Sequence, residues 1–406
     1  MRAPFHYAVL ASQLERLRSE ARRRRLRLVE GVAFVADGES FHLFHEKPSF
    51  PCAGLPLPCF FVIAEASDLS GSLMEKLEAM GARPESPVLV LSPAGTAEPF
   101  AFPAGSPQER FPVSVLSPEK DLASRGGAIL EGGLLREKKV LIVGLGSFGS
   151  VAAVELAKVG VGHFVLADND RLEPGNVCRH ACSVADVGRR KTLAVRDLVL
   201  ARNPDAQVET FEGDVNIEGA WLRQAARECD LILCMTGTAR SRFNVNAACV
   251  GAGRSAIYAR AVTRAEGGDV FRYRPGGPCL ACLFSGGGIP GAPEVSSARD
   301  AAEAAADYAP PGYAESLVQP GLANDIAPLV GMAVKLSLLE LAPKDQPLWR
   351  KLGEDLEAPF YVWANRREGL YEEYPPLGYN FNKSAILRWY GVRVARDSSC
   401  LACGLG

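Results

Sequence analysis

Apolar residues recur at helical spacing near the start of the chain, where Leu10, Leu14, Leu17 and Ala21 stand among Glu and Arg. That spacing predicts a helix over 10–27. Short apolar runs at 31–35 and 41–44 predict two strands joined through Asp37-Gly38, a dipeptide suited to tight hairpins. Two further strands are predicted at 60–64 and 88–91, flanked by proline-rich loops. Residues 1–125 therefore read as a small α+β domain, with no motif that assigns it a role. From Lys138 the grammar changes. Strands at 140–143, 163–167 and 230–234 alternate with helices at 151–159, 191–201 and 242–250. This alternation predicts an α/β domain over 126–406, a mostly parallel sheet with helices on both faces. Ser285–Pro290 and the alanine-rich stretch to Pro311 are expected to form a mobile loop. No internal repeat is evident.

Composition narrows the picture only in part. At about 150 residues per domain, 406 residues suit two or three domains. With 45 basic and 47 acidic residues the net charge is −2, which excludes nucleic-acid binding by bulk electrostatics. The run Arg22–Arg25 reads first as a solvated helix end, and second as a patch for nucleic acid or an acidic partner. No stretch approaches the roughly 20 apolar residues of a membrane helix, and the N-terminus lacks a signal pattern. Eleven Cys without such a signal point to a reducing compartment. The expectation is a cytoplasmic multi-domain enzyme that uses neither membrane nor nucleic acid.

Gly144-Leu-Gly-Ser-Phe-Gly149 follows an apolar strand and opens a helix, the context of a Rossmann-like nucleotide turn. Glycines there let the backbone approach phosphate at a helix N-terminus. Asp168, 19 residues after Gly149, ends the next strand, where a carboxylate can hold ribose hydroxyls. The turn alone does not choose between NAD and ATP. The residues beyond it do: Asp168-Asn-Asp170, Asn176, Arg179 and Lys191 supply the cations and amides that a triphosphate needs. No G-x-x-x-x-G-K-[ST] stands at this turn, so a Walker-type cradle is not expected.

With its glycine turn, D-x-D, N-x-x-R and later Lys, the sequence resembles the ThiF/MoeB superfamily of adenylating enzymes, to which ubiquitin-activating enzymes belong. The resemblance spans about 138–406. It implies that Gly144, Gly146 and Gly149 shape an ATP loop. It places Asp168 and Asp170 beside the ribose, Asp170 as the more direct contact, and Asn176, Arg179 and Lys191 at the phosphates. Arg179 and Lys191 would be the catalytic cations. The implied activity is ATP-dependent adenylation of the C-terminal glycine of a ubiquitin-like or sulfur-carrier protein, for transfer to a conjugating or sulfur-transfer partner. The implied assembly is a dimer. A separate N-terminal domain ahead of one adenylation domain is similar to activating enzymes of bacterial ubiquitin-like conjugation operons, some linked to phage defence.

Cys279 and Cys282, with Cys400 and Cys403, make two C-x-x-C pairs. Two such pairs close a tetrahedral shell, so the expected metal is one structural zinc. The same pairs occur in the resembled family.

Two features depart from that family. Gly237 stands where its members place the Asp that holds magnesium, while Arg242 and Asn246 fit the pattern. Either magnesium relies on phosphates, waters and another carboxylate, or the site is weak or inactive. Residues 283–399 contain no Cys, so a thioester-forming nucleophile in a crossover loop is not expected. Cys178 and Cys182 are substitutes near the site, beside Arg179 and His180, which can lower a thiol pKa. Cys229, Cys234 and Cys249 read as buried apolar residues, and Cys52 and Cys59 carry no assigned role. Two other classes stay open. A non-catalytic scaffold half of a heterodimeric activating enzyme is favoured by Gly237 and disfavoured by Arg179 and Lys191. An NAD-dependent oxidoreductase is favoured by the glycine turn alone.

Overall fold

The structure is a computed structural model of the chain. It describes residues 5–24, 28–48, 50, 52–64, 71–93, 97–117, 129–130, 133–285, 321–343, 345–378 and 382–404. The expected mobile loop beyond Ser285 lies outside them. Two compact units divide the chain, residues 1–125 and 126–406.

In the first unit, β1 (His6–Leu10), β2 (Leu28–Ala36), β3 (Ser40–Phe44), β4 (Leu55–Ile63), β5 (Pro87–Leu91), β6 (Phe100–Pro103) and β7 (Phe111–Leu116) close a barrel in the order β1-β3-β2-β4-β5-β6-β7. Closure removes the free strand edges that would otherwise pair with other chains. Helix α1 (Ala11–Arg24) starts later than its spacing suggested, because Leu10 ends β1. Leu14, Leu17 and Ala21 are buried with Tyr7 and Val9, so the helical stripe is the face that packs on the barrel. Helix α2 (Gly71–Ala79) buries Leu77 in a second cluster around Phe60 and Phe102.

The second unit is built on β8 (Lys139–Val143), β9 (His163–Ala167), β10 (Gln207–Phe211), β11 (Leu231–Cys234), β12 (Ser255–Ala261), β13 (Gly267–Tyr273), β14 (Phe360–Ala364) and β15 (Arg388–Val392). Their order is β10-β9-β8-β11-β12-β13-β14-β15. The first five pair in parallel and the last three join antiparallel. Helices α3 (Gly149–Lys158), α4 (Lys191–Arg202) and α8 (Ala323–Leu341) pack together, α8 also reaching β12 and β13. Helices α5 (Gly219–Glu228) and α6 (Ala239–Ala252) pair with each other and, with α7 (Leu280–Ser285), cover the other face. Helix α9 (Pro347–Asp355) touches α8 and buries Trp349.

Apart from Lys139 and His163 at their starts, strands β8, β9 and β11 are apolar because both of their faces are covered, with Val140, Leu141, Ile142, Ile232 and Leu233 fully buried. The chain leaves β8 toward β9 and β10, then returns to place β11 on the other side of β8. That reversal opens a crevice at the carboxyl ends of β8 and β11, the position where open α/β sheets bind ligands.

Candidate active site

The crevice is floored by two loops that leave neighbouring strands, Val143 being paired with Cys234. Gly144 has φ +86°, and a Cβ there would stand 2.9 Å from the Met235 backbone. A Cβ on Gly149 would fall 1.9 Å from the Gly144 carbonyl oxygen, so α3 can start this close to the strand only with glycine. At Gly146 a Cβ would meet nothing within 4 Å, and the residue lines open space. The turn thus presents the α3 N-terminus to the cavity, where its amides favour an anion.

Asp168, at the end of β9, fixes this turn from beneath. Its Oδ2 accepts from the Leu145 N–H at 2.6 Å and its Oδ1 from the Asp170 N–H at 2.8 Å. Burial pushes its carboxyl above the usual range, outweighing the pull of Lys191 and the two amides. Asp170 is the more accessible of the two and pairs with Lys191 Nζ at 2.8 Å. Lys191 opens α4 and is 8% exposed, so its charge acts inside the cleft. Asn176 ends a short turn in which its Oδ1 accepts from the Glu173 N–H, and its carbonyl accepts from the Arg179 N–H.

These residues line one cleft with two lobes that share Gly146, Lys191, Met235, Thr236 and Gly237. A lobe of about 350 Å³ holds Gly144, Asp168 and Asp170. A lobe of about 320 Å³ holds Asn176, Arg179, His180 and Arg242, and reaches Arg260 on β12. Both volumes fall in the range of small-molecule sites. Every residue expected at the nucleotide lines this cleft except Gly149, which lies under the turn.

Three further residues support the cleft: His180, which the sequence offered only as a neighbour of two thiols, Arg242, which it matched to the family pattern without a role, and Arg260, which it did not single out. The His180 Nδ1 accepts from the Cys182 N–H at 3.0 Å, so its Nε2 carries the proton and donates to the Leu145 carbonyl at 2.6 Å. The ring is buried and its pKa is lowered, chiefly by desolvation. Its signal was adjacency to N-x-x-R. Arg242 is buried and donates through Nε and Nη2 to the Thr236 carbonyl at 3.2 and 3.0 Å, pinning the loop after β11. Arg260, third, sits in a strand that the local pattern did not announce.

Gly237 lies in both lobes, with open space where a Cβ would point. Among the described residues, no three acidic or histidine side chains converge in the cleft. The expectation for Cys182 needs correction: it is buried, and desolvation with Asp186 pushes its thiol up to about 12, away from a nucleophile's range. Cys178 is exposed, with Sγ 3.4 Å from the Gly175 carbonyl.

Behind α6, the sulfurs of Cys279, Cys282, Cys400 and Cys403 lie within 4.8 Å of one another, and all four residues are buried. Neighbouring sulfurs stand 3.4, 3.7 and 3.9 Å apart. A tetrahedral zinc with Zn–S near 2.3 Å places sulfurs about 3.8 Å apart, so the donor set fits. Asn246 Nδ2 approaches Cys279 Sγ at 3.7 Å while its Oδ1 accepts from the Leu280 N–H at 2.9 Å. The Asp397 N–H points to Cys282 Sγ at 3.5 Å. Such donors are the outer contacts that thiolate sites carry.

The ThiF family model matches residues 131–342, more than half of the chain. This chain belongs to the ThiF family. Its relatives include the molybdopterin-synthase adenylyltransferase of Escherichia coli, 35% identical over 151 residues, which are 37% of this chain and 59% of that protein. The ATP-dependent ubiquitin transferase-like protein Cap2 of Enterobacter hormaechei is 35% identical over 116 residues, 29% of this chain and 19% of that protein. The chain thus spans less than two thirds of either curated relative. Among solved structures, E. coli MccB with AMPCPP and MccA superposes with a TM-score of 0.50 at 20% identity, covering 70% of this chain and 74% of that one. That likeness shows a shared fold. No helix among the described residues is long and apolar enough to cross a membrane.

Proposed function

We propose that this ThiF-family chain uses ATP to adenylate the C-terminal carboxylate of a ubiquitin-like or sulfur-carrier protein. The observation that carries the reading is the convergence of Asp170, Asn176, Arg179 and Lys191 on one cleft beside a glycine turn. Names of relatives, an adenylyltransferase and an ATP-dependent ubiquitin transferase-like protein, support it. A carboxylate oxygen of the carrier attacks the α-phosphorus, the bond to the β-phosphate oxygen breaks, and pyrophosphate leaves with that electron pair. No proton needs to move. The work of the site is to place two anions together and stabilise the charge that spreads over the phosphates. Arg179, Lys191 and the amides at the start of α3 do this, while Asp170 holds the ribose and Asp168 keeps the turn in shape.

Magnesium, when bound, would supply positive charge that offsets that of the phosphates. With glycine at 237, it would lean on phosphate oxygens, water and a cleft carboxylate. Zinc would be held by Cys279, Cys282, Cys400 and Cys403 as a closed structural site that ties the chain's tail to α7. A conjugating or sulfur-transfer protein would receive the activated carrier, and a dimer is the proposed assembly. Gly237 alone favours the scaffold reading, and the intact phosphate cations count against it.

Carrier-dependent exchange of labelled pyrophosphate into ATP tests the proposal. Asp170→Ala and Arg179→Ala should each lower exchange about ten- to a hundredfold, the cost of one charged hydrogen-bond partner. Their melting temperatures should stay near that of the parent. Absence of exchange with every cognate carrier would move the chain to the scaffold class.

A further inference from the structure

We propose that Arg260 recognises the extended C-terminal tail of the protein substrate, holding backbone carbonyl oxygens of its last residues where they enter the cleft. This inference rests on the adenylation reading. Strand β12 outruns its neighbour: pairing with β11 ends at Cys234 with Tyr258, so the next residues wall the cleft beyond the end of β11. Arg260 stands directly across from Asp269 on β13, and its Nε donates to Asp269 Oδ2 at 2.7 Å. The two side chains are only 11% and 12% exposed. An ion pair buried this deeply is expensive to make without a use, because desolvation offsets much of its attraction.

The surroundings point to a peptide. Asp269 already neutralises the guanidinium, so a neutral acceptor suits it better than a second carboxylate in a low-dielectric wall. Phosphates have Arg179 and Lys191. The rest of this wall is small and apolar, formed by Ala259, Ala261, Val262, Ala265 and Gly321, so a peptide backbone can approach it closely and side chains find no polar partner on it. A tail ending in glycine can lie flat against such a wall, and a bulky residue there would lift its backbone away from Arg260. The Phe284 ring centroid lies 5.7 Å from the Arg260 guanidinium carbon, and Phe243 packs on Phe284 at 5.7 Å. Both rings remain exposed, at 42% and 39%. Exposed aromatic rings beside a fixed arginine are the composition of peptide-binding hot spots.

The test uses the full chain with a non-hydrolysable ATP analogue and a fluorescent ten-residue peptide ending in Gly-Gly. Fluorescence anisotropy should show saturable binding that weakens about tenfold or more in Arg260→Ala. Arg260→Lys should fall between them, since an ammonium lacks the planar fork. Should Arg260→Ala unfold because Asp269 is left unpaired, the double variant Arg260→Ala/Asp269→Ala removes the whole pair. Affinity for the analogue alone should change less than twofold in each folded variant. A peptide with Trp in place of the penultimate Gly should bind the parent at least tenfold more weakly. Equal peptide affinity in the parent and the variants, or no binding to the parent, overturns the assignment. Pyrophosphate exchange by the parent in that case keeps the adenylation reading. Arg260-dependent peptide binding without exchange supports the tail site and removes only the catalytic reading.

Discussion

At the scale of single residues, the cleft depends on groups that never need to touch a ligand. His180 is the plainest case. Its two ring nitrogens have opposite duties, acceptor for the Cys182 N–H and donor to the Leu145 carbonyl, and only the neutral ring performs both. Burial lowers its pKa below the ordinary value near 6.5, so the unfolded chain takes up the proton first as pH falls. The stability from the neutral ring is therefore complete above about 6.5 and lost as pH drops from there through the folded pKa. His180→Gln keeps an acceptor and a donor but does not titrate. Denaturant midpoints measured between about pH 7.5 and 5.5 should fall less steeply in this variant than in the parent. Parallel pH profiles would show that the ring is not the titrating group. Asp168 shows a similar division of labour. Two backbone amides occupy its oxygens, which leaves the more accessible Asp170 as the carboxylate facing the cleft.

At the scale of elements, the loop between β11 and α6 decides how magnesium is used. The Gly237 position has room for a side chain, and Arg242 pins the loop from the adjacent Thr236 carbonyl. Gly237→Asp should therefore fold normally and lower the magnesium concentration needed for half-maximal pyrophosphate exchange. An unchanged requirement would mean that the metal lies away from this loop.

The elements also differ in how plainly the sequence announced them. Strands β8, β9 and β11 and helices α3, α4 and α6 were legible because their faces are covered, so apolar runs stand out against polar turns. Strand β10 was not, since its edge position leaves it a mixture of exposed and half-buried residues. In β12 and β13 the apolar pattern is broken by Arg260, Asp269 and the almost fully buried Arg272. Arg272 is admitted to the core because its Nη2 donates to the carbonyls of Leu356, Glu357 and Ala358, partners more than eighty residues away. Local pattern carries no trace of such partners. The glycine turn, Asp170, Arg179 and Lys191 were legible because they are close together along the chain. His180 was named there only as a neighbour of Cys178 and Cys182, and Arg260, across the cleft, not at all.

For the whole molecule, the cysteine cluster is the long-range tie, joining residues 279 and 282 to 400 and 403. Asn246 links it to α6, whose N-terminus begins at the cleft loop. Zinc in small structural sites is worth roughly 10–16 kcal/mol of apparent binding free energy. Cys400→Ser should lose zinc, measured by elemental analysis, together with thermal stability. Retention of one equivalent of zinc in that variant, or its absence from unchelated parent protein, would contradict the proposed site. In the first unit, barrel closure depends on β1 pairing with both β3 and β7, strands far apart in sequence. A reading of local periodicity reached four of its strands and not their closure.

The central claim is a bond between a carrier carboxylate oxygen and the α-phosphorus of ATP, and isotope transfer tests it most directly. The carrier's C-terminal carboxylate is labelled with oxygen-18, the chain and ATP are added, and the activated carrier is discharged with an amine nucleophile. Attack by the carboxylate leaves one of its oxygens in the AMP that departs, so AMP should carry one oxygen-18 atom per turnover, read by mass spectrometry. Label recovered in inorganic phosphate, or AMP without label, would contradict the account.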